Sequence, residues 1–214
     1  MAIALAFSTL CVAAVAGLLV AEKLGKPVMR AACKLGASSS FVLVALLLGG
    51  HETLYGRLIL GALALGWLGD ALLLSNRIRL FLAGLTAFLL SHLCFTLAFV
   101  TGAFSMPALA LGVVAGVGVG VAVVRRLWPH LSNAYKLPVL AYVAAILAMC
   151  AAALGFAAAS SRWQPLLGAL IFMASDLFVA RDRFIVKDFT NKAWGLPTYY
   201  TAQLLLAWSV TSST

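Results

Sequence analysis

Two carboxylates sit where carboxylates are expensive. Asp176 lies inside Gly168–Arg183, GALIFMASDLFVARDR, among Phe172, Met173, Leu177 and Phe178, and Asp70 lies inside LALGWLGDALLL. In hydrocarbon such a residue costs at least ~2.5 kcal/mol, so an acid within the membrane is a functional hypothesis by default. Two acids in one low-dielectric site can divide into a proton donor and an anion. Their protons then belong to the pair rather than to either residue. The same two groups would equally suit a proton or cation held by a transporter.

Other polar residues fall inside apolar runs. His92, with Ser91 beside it, lies in FLLSHLCFTLAF, and Tyr199, Tyr200 and Gln203 lie in TYYTAQLLLA. Gln203 is four residues from Tyr199 and three from Tyr200, so the three share one helix face. A metal site needs three or four ligands. His51 and His130 fall in loops far from His92, so no metal and no cofactor is expected. For His92 a polar contact to a neighbouring helix stands beside a role in binding. For at least one of the two tyrosines, an aromatic belt at the interface stands beside it.

The elements that must position these groups follow from composition. The chain has 214 residues, 64% hydrophobic and 10% charged, with a mean hydropathy of +1.08. Repeated apolar stretches of about 18 residues or more are membrane helices, and the short alternating segments of a barrel are absent. Eight spans are expected: Ala2–Ala21, Cys33–Gly50, Leu58–Leu74, Leu80–Val100, Pro107–Val124, Pro138–Ala159, Pro165–Ala180 and Pro197–Val210. Four open at a proline, which suits the first helical position. The run that follows Met1 has no basic segment before it and reads as a first span rather than a cleaved signal. The fold class is all-α, a single polytopic bundle over residues 1–214.

The formal net charge of +9 does not point to nucleic acid, because the basic residues lie in short loops. All 15 except Arg57 and Arg162 fall in the loops after spans one, three, five and seven. That bias makes these loops cytoplasmic and turns both termini to the other side. Asp70 then lies seven residues before Arg77, and Asp176 five before Arg181. At 1.5 Å per residue both acids sit roughly 7–10 Å below the cytoplasmic charges. His92, about twelve residues past the cytoplasmic end of span four, falls deeper by the same rise. Arg77, Arg79, Arg181 and Arg183 flank the acid-bearing spans, and Lys26 and Arg30 lie in the first loop, so each is a candidate for a lipid phosphate. Gly112, Gly116 and Gly120 make a doubled GxxxG face for a neighbouring helix or a second copy, which leaves a homodimer open. Cys11, Cys33, Cys94 and Cys150 show no paired spacing and read as free thiols.

The ordered set of motifs resembles the YhhN-like lysoplasmalogenase family of transmembrane proteins. The matching pieces are Lys26-Pro27, GWLGDALLL with Asp70, FLAGLTAFLLSHLCFTLAF with Gly84 and His92, LPVLAYVAAILAM with Pro138 and Tyr142, LIFMASDLFVARDRF with Ser175 and Asp176, and TYYTAQLLLA with Tyr199, Tyr200 and Gln203. One departure is Cys94-Phe95, where the family often has a tyrosine three residues after the histidine. The resemblance implies a membrane hydrolase that cleaves the vinyl-ether bond of a lysoplasmalogen to a fatty aldehyde and a glycerophospho-alcohol. Its two suspected catalytic aspartates fall on Asp70 and Asp176. Lys26, Arg77, Arg181, His92, Tyr199, Tyr200 and Gln203 are the candidate substrate-binding residues. The expected partners are the lysophospholipid substrate and membrane lipids, and the Ala/Gly-rich chain points to a bacterial inner membrane.

Overall fold

The computed structural model describes residues 1–75 and 77–213. Eight α-helices follow one another: α1 Ala2–Leu24, α2 Pro27–Leu47, α3 Leu54–Leu72, α4 Ile78–Val100, α5 Met106–Leu127, α6 Asn133–Ser160, α7 Gln164–Phe184 and α8 Phe189–Trp208. Short 3₁₀ turns follow α5 and α8, and no strand occurs among the described residues. Six helices, α1, α2, α4, α5, α6 and α7, are long and apolar enough to cross a membrane, which makes this a multi-pass membrane protein. The remaining two, α3 and α8, also hold polar residues: Arg57 and Asp70 in one, Asn191, Lys192, Tyr199, Tyr200 and Gln203 in the other.

Consecutive helices pair as α1–α2, α3–α4, α5–α6 and α7–α8, and α4 also packs on α6. Against α1, α2, α3 and α7, α8 closes the bundle. Trp208 near the end of α8 donates to Ser8 near the start of α1 (2.9 Å), so both termini lie at one end. The basic connections gather at the other. Phe41, Ile59, Leu63, Phe95, Phe99 and Phe172 form one apolar core between the helices.

Several helix starts differ from expectation. Pro107 and Pro165 do sit in the first turns of α5 and α7. Pro138 and Pro197 instead lie inside α6 and α8. Both helices begin earlier, in polar turns beyond the apolar run. The Asp188 carboxylate caps α8 by accepting from the Thr190 N–H (3.4 Å). The Thr190 side chain and backbone together hold that carboxyl below its ordinary value. Likewise α2 begins at Pro27, six residues before the expected Cys33, because Pro27 is already in the first turn. Gly25, left-handed at φ 63°, ends α1 just before it. The first basic segment is therefore not a loop: Arg30 and Lys34 are helical residues.

Gly112, Gly116 and Gly120 of α5 meet α6 of the same chain. A Cβ added at Gly112 would lie 2.8 Å from the Ala151 Cα, and one at Gly120 would lie 2.7 Å from Leu147. That face is occupied and offers nothing to a second copy. Gly118, on the other side of α5, has nothing within 4 Å of such a Cβ. Gly112→Val is expected to destabilise the protein by about 1–3 kcal/mol through overpacking against backbone. Gly118→Val should stay close to wild type. Thermal unfolding of the two variants in the same detergent checks the contrast.

Candidate active site

Asp70 is buried at the junction of three helices. Its residue on α3 is 2% exposed, and each helix that faces it supplies a donor. From α2, Lys34 Nζ lies 3.1 Å from Oδ1 and the Ser38 hydroxyl donates to Oδ2 (2.5 Å). From α8 the Tyr199 hydroxyl donates to Oδ2 (2.8 Å). Behind this first ring, Gln203 Nε2 donates to the Tyr199 oxygen (3.0 Å), and the Tyr200 hydroxyl lies 3.2 Å from Ser38 Oγ. Lys34 and Ser38 are four apart on one face of α2, and Tyr199 and Gln203 four apart on one face of α8, which is why each pair arrives together. An ion pair removed from water holds only when its remaining hydrogen-bonding capacity is filled, and here hydroxyls fill it.

Room for this cluster is made by glycine. A Cβ at Gly66, one turn before Asp70, would lie 2.7 Å from Gln203 Nε2 and 3.5 Å from the Tyr199 hydroxyl. At Gly69 it would strike the Phe88 ring at 2.6 Å. The GWLGD motif is thus two close approaches followed by the acid.

Asp176, on α7, has different company. The Tyr142 hydroxyl of α6 donates to its Oδ2 (3.0 Å), and His92 Nε2 of α4 faces the same oxygen at 3.5 Å. The Asp176 side chain is 17% exposed, and His92 is fully buried. Counting residues puts His92 deeper than Asp176, yet they meet. Helical side chains lean toward their own N-terminus, and in antiparallel α4 and α7 the two therefore lean toward each other. Between the acids stand Phe88, Phe172 and Tyr199, packed edge to face.

Both acids line one cavity of about 520 Å³ at the basic end of the bundle. Its apolar arm runs between α4, α5, α6 and α7, along Leu85, Val119, Val143, Ile146, Leu147 and Met173. Its mouth carries Arg30, Arg183, Lys187 and Lys192, with Glu22 and Asp182. Lys192 is taken by Glu22 (2.7 Å). Arg30 Nη2 donates to the Leu74 carbonyl (2.7 Å), its Nε has no partner, and no carboxylate lies within salt-bridge distance of it among the described residues.

Among the residues singled out from sequence, Asp70, Asp176, Tyr199, Arg30 and Arg183 line this cavity. Tyr200, Gln203 and His92 stand behind it as the supports just described. Lys26 is the exposed residue before α2, and Arg77 the exposed residue before α4. Arg181 donates to Asn191 (2.9 Å). None of these three is brought to the cavity wall, and their places at the mouth are taken by Arg30, Arg183 and Lys187. Lys34, Ser38 and Tyr142 were not singled out as site residues. The signal for the first two was present in the four-residue spacing from Lys34 to Ser38, once the helix is started at Pro27. No group of three or more His, Cys, Asp or Glu side chains suited to a metal occurs among the described residues, and the four cysteines are free.

A sequence profile described as the YhhN family matches residues 29–210. The chain belongs to the YhhN family. This YhhN protein is 37% identical over 153 residues to the human protein named Lysoplasmalogenase TMEM86A, covering 68% of this chain and 61% of that one. With the Bos taurus protein of the same name it shares 33% over 154 residues, 68% of this chain and 62% of the other. A Lysoplasmalogenase of Mycobacterium bovis is 36% identical over 133 residues, 59% of this chain and 49% of that protein. The chain thus spans about three-fifths of the length of the mammalian relatives. No solved structure matches it.

The buried ion pair yields a prediction. Lys34→Met leaves the Asp70 carboxylate buried and unpaired, at an expected cost of about 3–5 kcal/mol. Adding Asp70→Asn to Lys34→Met removes the orphaned charge and should recover much of that loss. Unfolding midpoints of both variants in detergent measure the difference.

Proposed function

We propose that this protein is a membrane hydrolase that cleaves the vinyl-ether bond of lysoplasmalogens, releasing a fatty aldehyde and a glycerophospho-alcohol. The observation that carries the reading is one cavity with a basic mouth, an apolar arm and two carboxyl groups in unlike surroundings at its wall. A single-chain ether lipid has the matching order of parts: phosphate, glycerol, vinyl ether, hydrocarbon. The names of the relatives agree with it.

The surroundings divide the labour. Asp70 has a cation and two hydroxyl donors in place, so it serves as the fixed anion. Asp176 has Tyr142 and an imidazole on Oδ2, and Oδ1 has no protein partner among the described residues. It serves as the acid that reaches substrate. The Asp176 carboxyl gives its proton to the alkene β-carbon. The π electrons form the new C–H bond, and an oxygen lone pair makes the adjacent carbon an oxocarbenium. The Asp70 carboxylate stabilises that cation across the cavity, as preorganised charge does in a water-poor site. Water adds to the cationic carbon and returns a proton to Asp176. The hemiacetal then collapses to aldehyde and alcohol. No nucleophilic side chain enters the sequence. A proton- or cation-coupled transporter, which would use the same acids to bind its ion, finds Asp70 already occupied by Lys34.

At the mouth, Arg30, Arg183 and Lys187 hold the phosphate, with Arg30 set apart by a buried Nε that has no partner. The basic end of the bundle lies on the cytoplasmic side by the distribution of positive charge, with both termini opposite, in a bacterial inner membrane.

Purified protein in detergent is expected to release aldehyde from lysoplasmenylethanolamine with a chelator present. Asp176→Asn should lose at least about a hundredfold in kcat, the scale of a removed general acid. Absence of aldehyde from folded wild-type protein contradicts the reading. Arg30→Gln should raise KM about tenfold, equivalent to ~1.4 kcal/mol of lost phosphate contact, with kcat little changed.

A further inference from the structure

The His92 ring is held in a single protonation pattern at one nitrogen and left open at the other. Nδ1 lies 2.6 Å from the Phe88 carbonyl, one turn back on α4. A carbonyl oxygen only accepts, so Nδ1 carries a hydrogen. Nε2 is then a bare acceptor in the neutral ring or a donor in the charged one. It is buried without a hydrogen-bond partner of its own and faces Asp176 Oδ2 at 3.5 Å. The Tyr142 and Phe172 rings pack edge-on against it at 5.1 and 4.7 Å between centroids, and seal the pair from the side.

We propose that His92 and Asp176 hold one proton between them, and that His92 is the positioning residue that keeps this proton available to the carboxyl at the cavity wall. Two neutral acceptors facing each other would repel, and a buried carboxylate opposite a bare nitrogen would lack compensation on that side. One shared proton satisfies both atoms, as carboxyl and imidazole or as carboxylate and imidazolium. His92 itself does not line the cavity and does not touch substrate. When that proton goes to carbon, the new carboxylate keeps the Tyr142 hydroxyl as its donor, and the bare Nε2 opposite it favours return of a proton from water to the pair.

The groups that face this pair are few. Tyr142 of α6 donates to Asp176. Cys150, also of α6, spends its thiol hydrogen on the Ala169 carbonyl. Although α3 packs along α4, it directs its carboxyl, Asp70, to Lys34, Ser38 and Tyr199. No second cation reaches Asp176 within salt-bridge distance among the described residues, so the imidazole is its source of positive charge.

The kinetic consequences rest on the hydrolase reading, but the proton pairing does not. The first test is therefore independent of activity: ¹⁵N spectra of histidine-labelled full-length protein in micelles, with His92 assigned by its loss in His92→Gln. In wild type at neutral pH, Nε2 is expected to resonate displaced from the bare-nitrogen position toward the protonated one. In Asp176→Leu it should return to the bare position. A bare nitrogen in both proteins overturns the proposal. The second test is kinetic. His92→Gln is expected to lower kcat about tenfold or more, to leave KM within about twofold and to change the pH dependence of kcat. A lowered kcat whose pH profile superimposes on that of wild type marks His92 as packing only and overturns the proposal. A wild-type protein without hydrolytic activity sinks the hydrolase reading, and the ¹⁵N comparison still decides the pairing.

Discussion

A carboxylate placed in hydrocarbon must be compensated where it stands, and the architecture follows from that requirement at Asp70. Three helices converge on one side chain: α3 carries it, α2 brings Lys34 and Ser38, and α8 brings Tyr199. Asp70 of α3 and Tyr199 of α8 are also what tie these two helices together. Gly66 follows from it too, because Gln203 can support Tyr199 only where no Cβ intrudes. A partially satisfied network of this kind would be worse than an apolar core, so its members act as a unit.

Asp176 escapes full compensation, and that difference gives the site its direction. One acid is held by a lysine and two hydroxyls. The other stands at the cavity wall with a single hydroxyl and an imidazole behind it. No hydrogen bond joins the two carboxyl groups among the described residues. In the proposed reaction they work on opposite sides of the substrate. Each acid has its own basic neighbour, Lys34 at Asp70 and His92 at Asp176.

Much of this was legible in the sequence, for a physical reason. Asp70, Asp176, Tyr199, Tyr200 and Gln203 are polar residues inside apolar runs, and such residues stand out because hydrocarbon tolerates so few. The partners were hidden by the same logic. Lys34 was counted among topological charges because the apolar run appeared to open at Cys33, whereas the helix opens at Pro27 and carries the lysine one turn inward. Long basic side chains at helix ends look alike in sequence, so Arg30 and Arg183 stand there as candidates beside Lys26, Arg77 and Arg181, and nothing in the sequence marks Lys187. Helix phase decides between them, and phase depends on packing. The contact of His92 with Asp176 is not legible in residue counting, which follows Cα positions, because it is made by side chains that lean toward each other.

The central claim is that a fixed carboxyl at the cavity wall delivers a proton to carbon. Its most direct test is hydrolysis in deuterium oxide with the aldehyde reduced as it forms, followed by analysis of the alcohol. Proton delivery from Asp176 predicts one deuterium at the carbon next to the former carbonyl, in a single configuration. Deuterium distributed equally over both configurations would mean that an enol leaves the protein and is protonated in solution, and it would contradict the account.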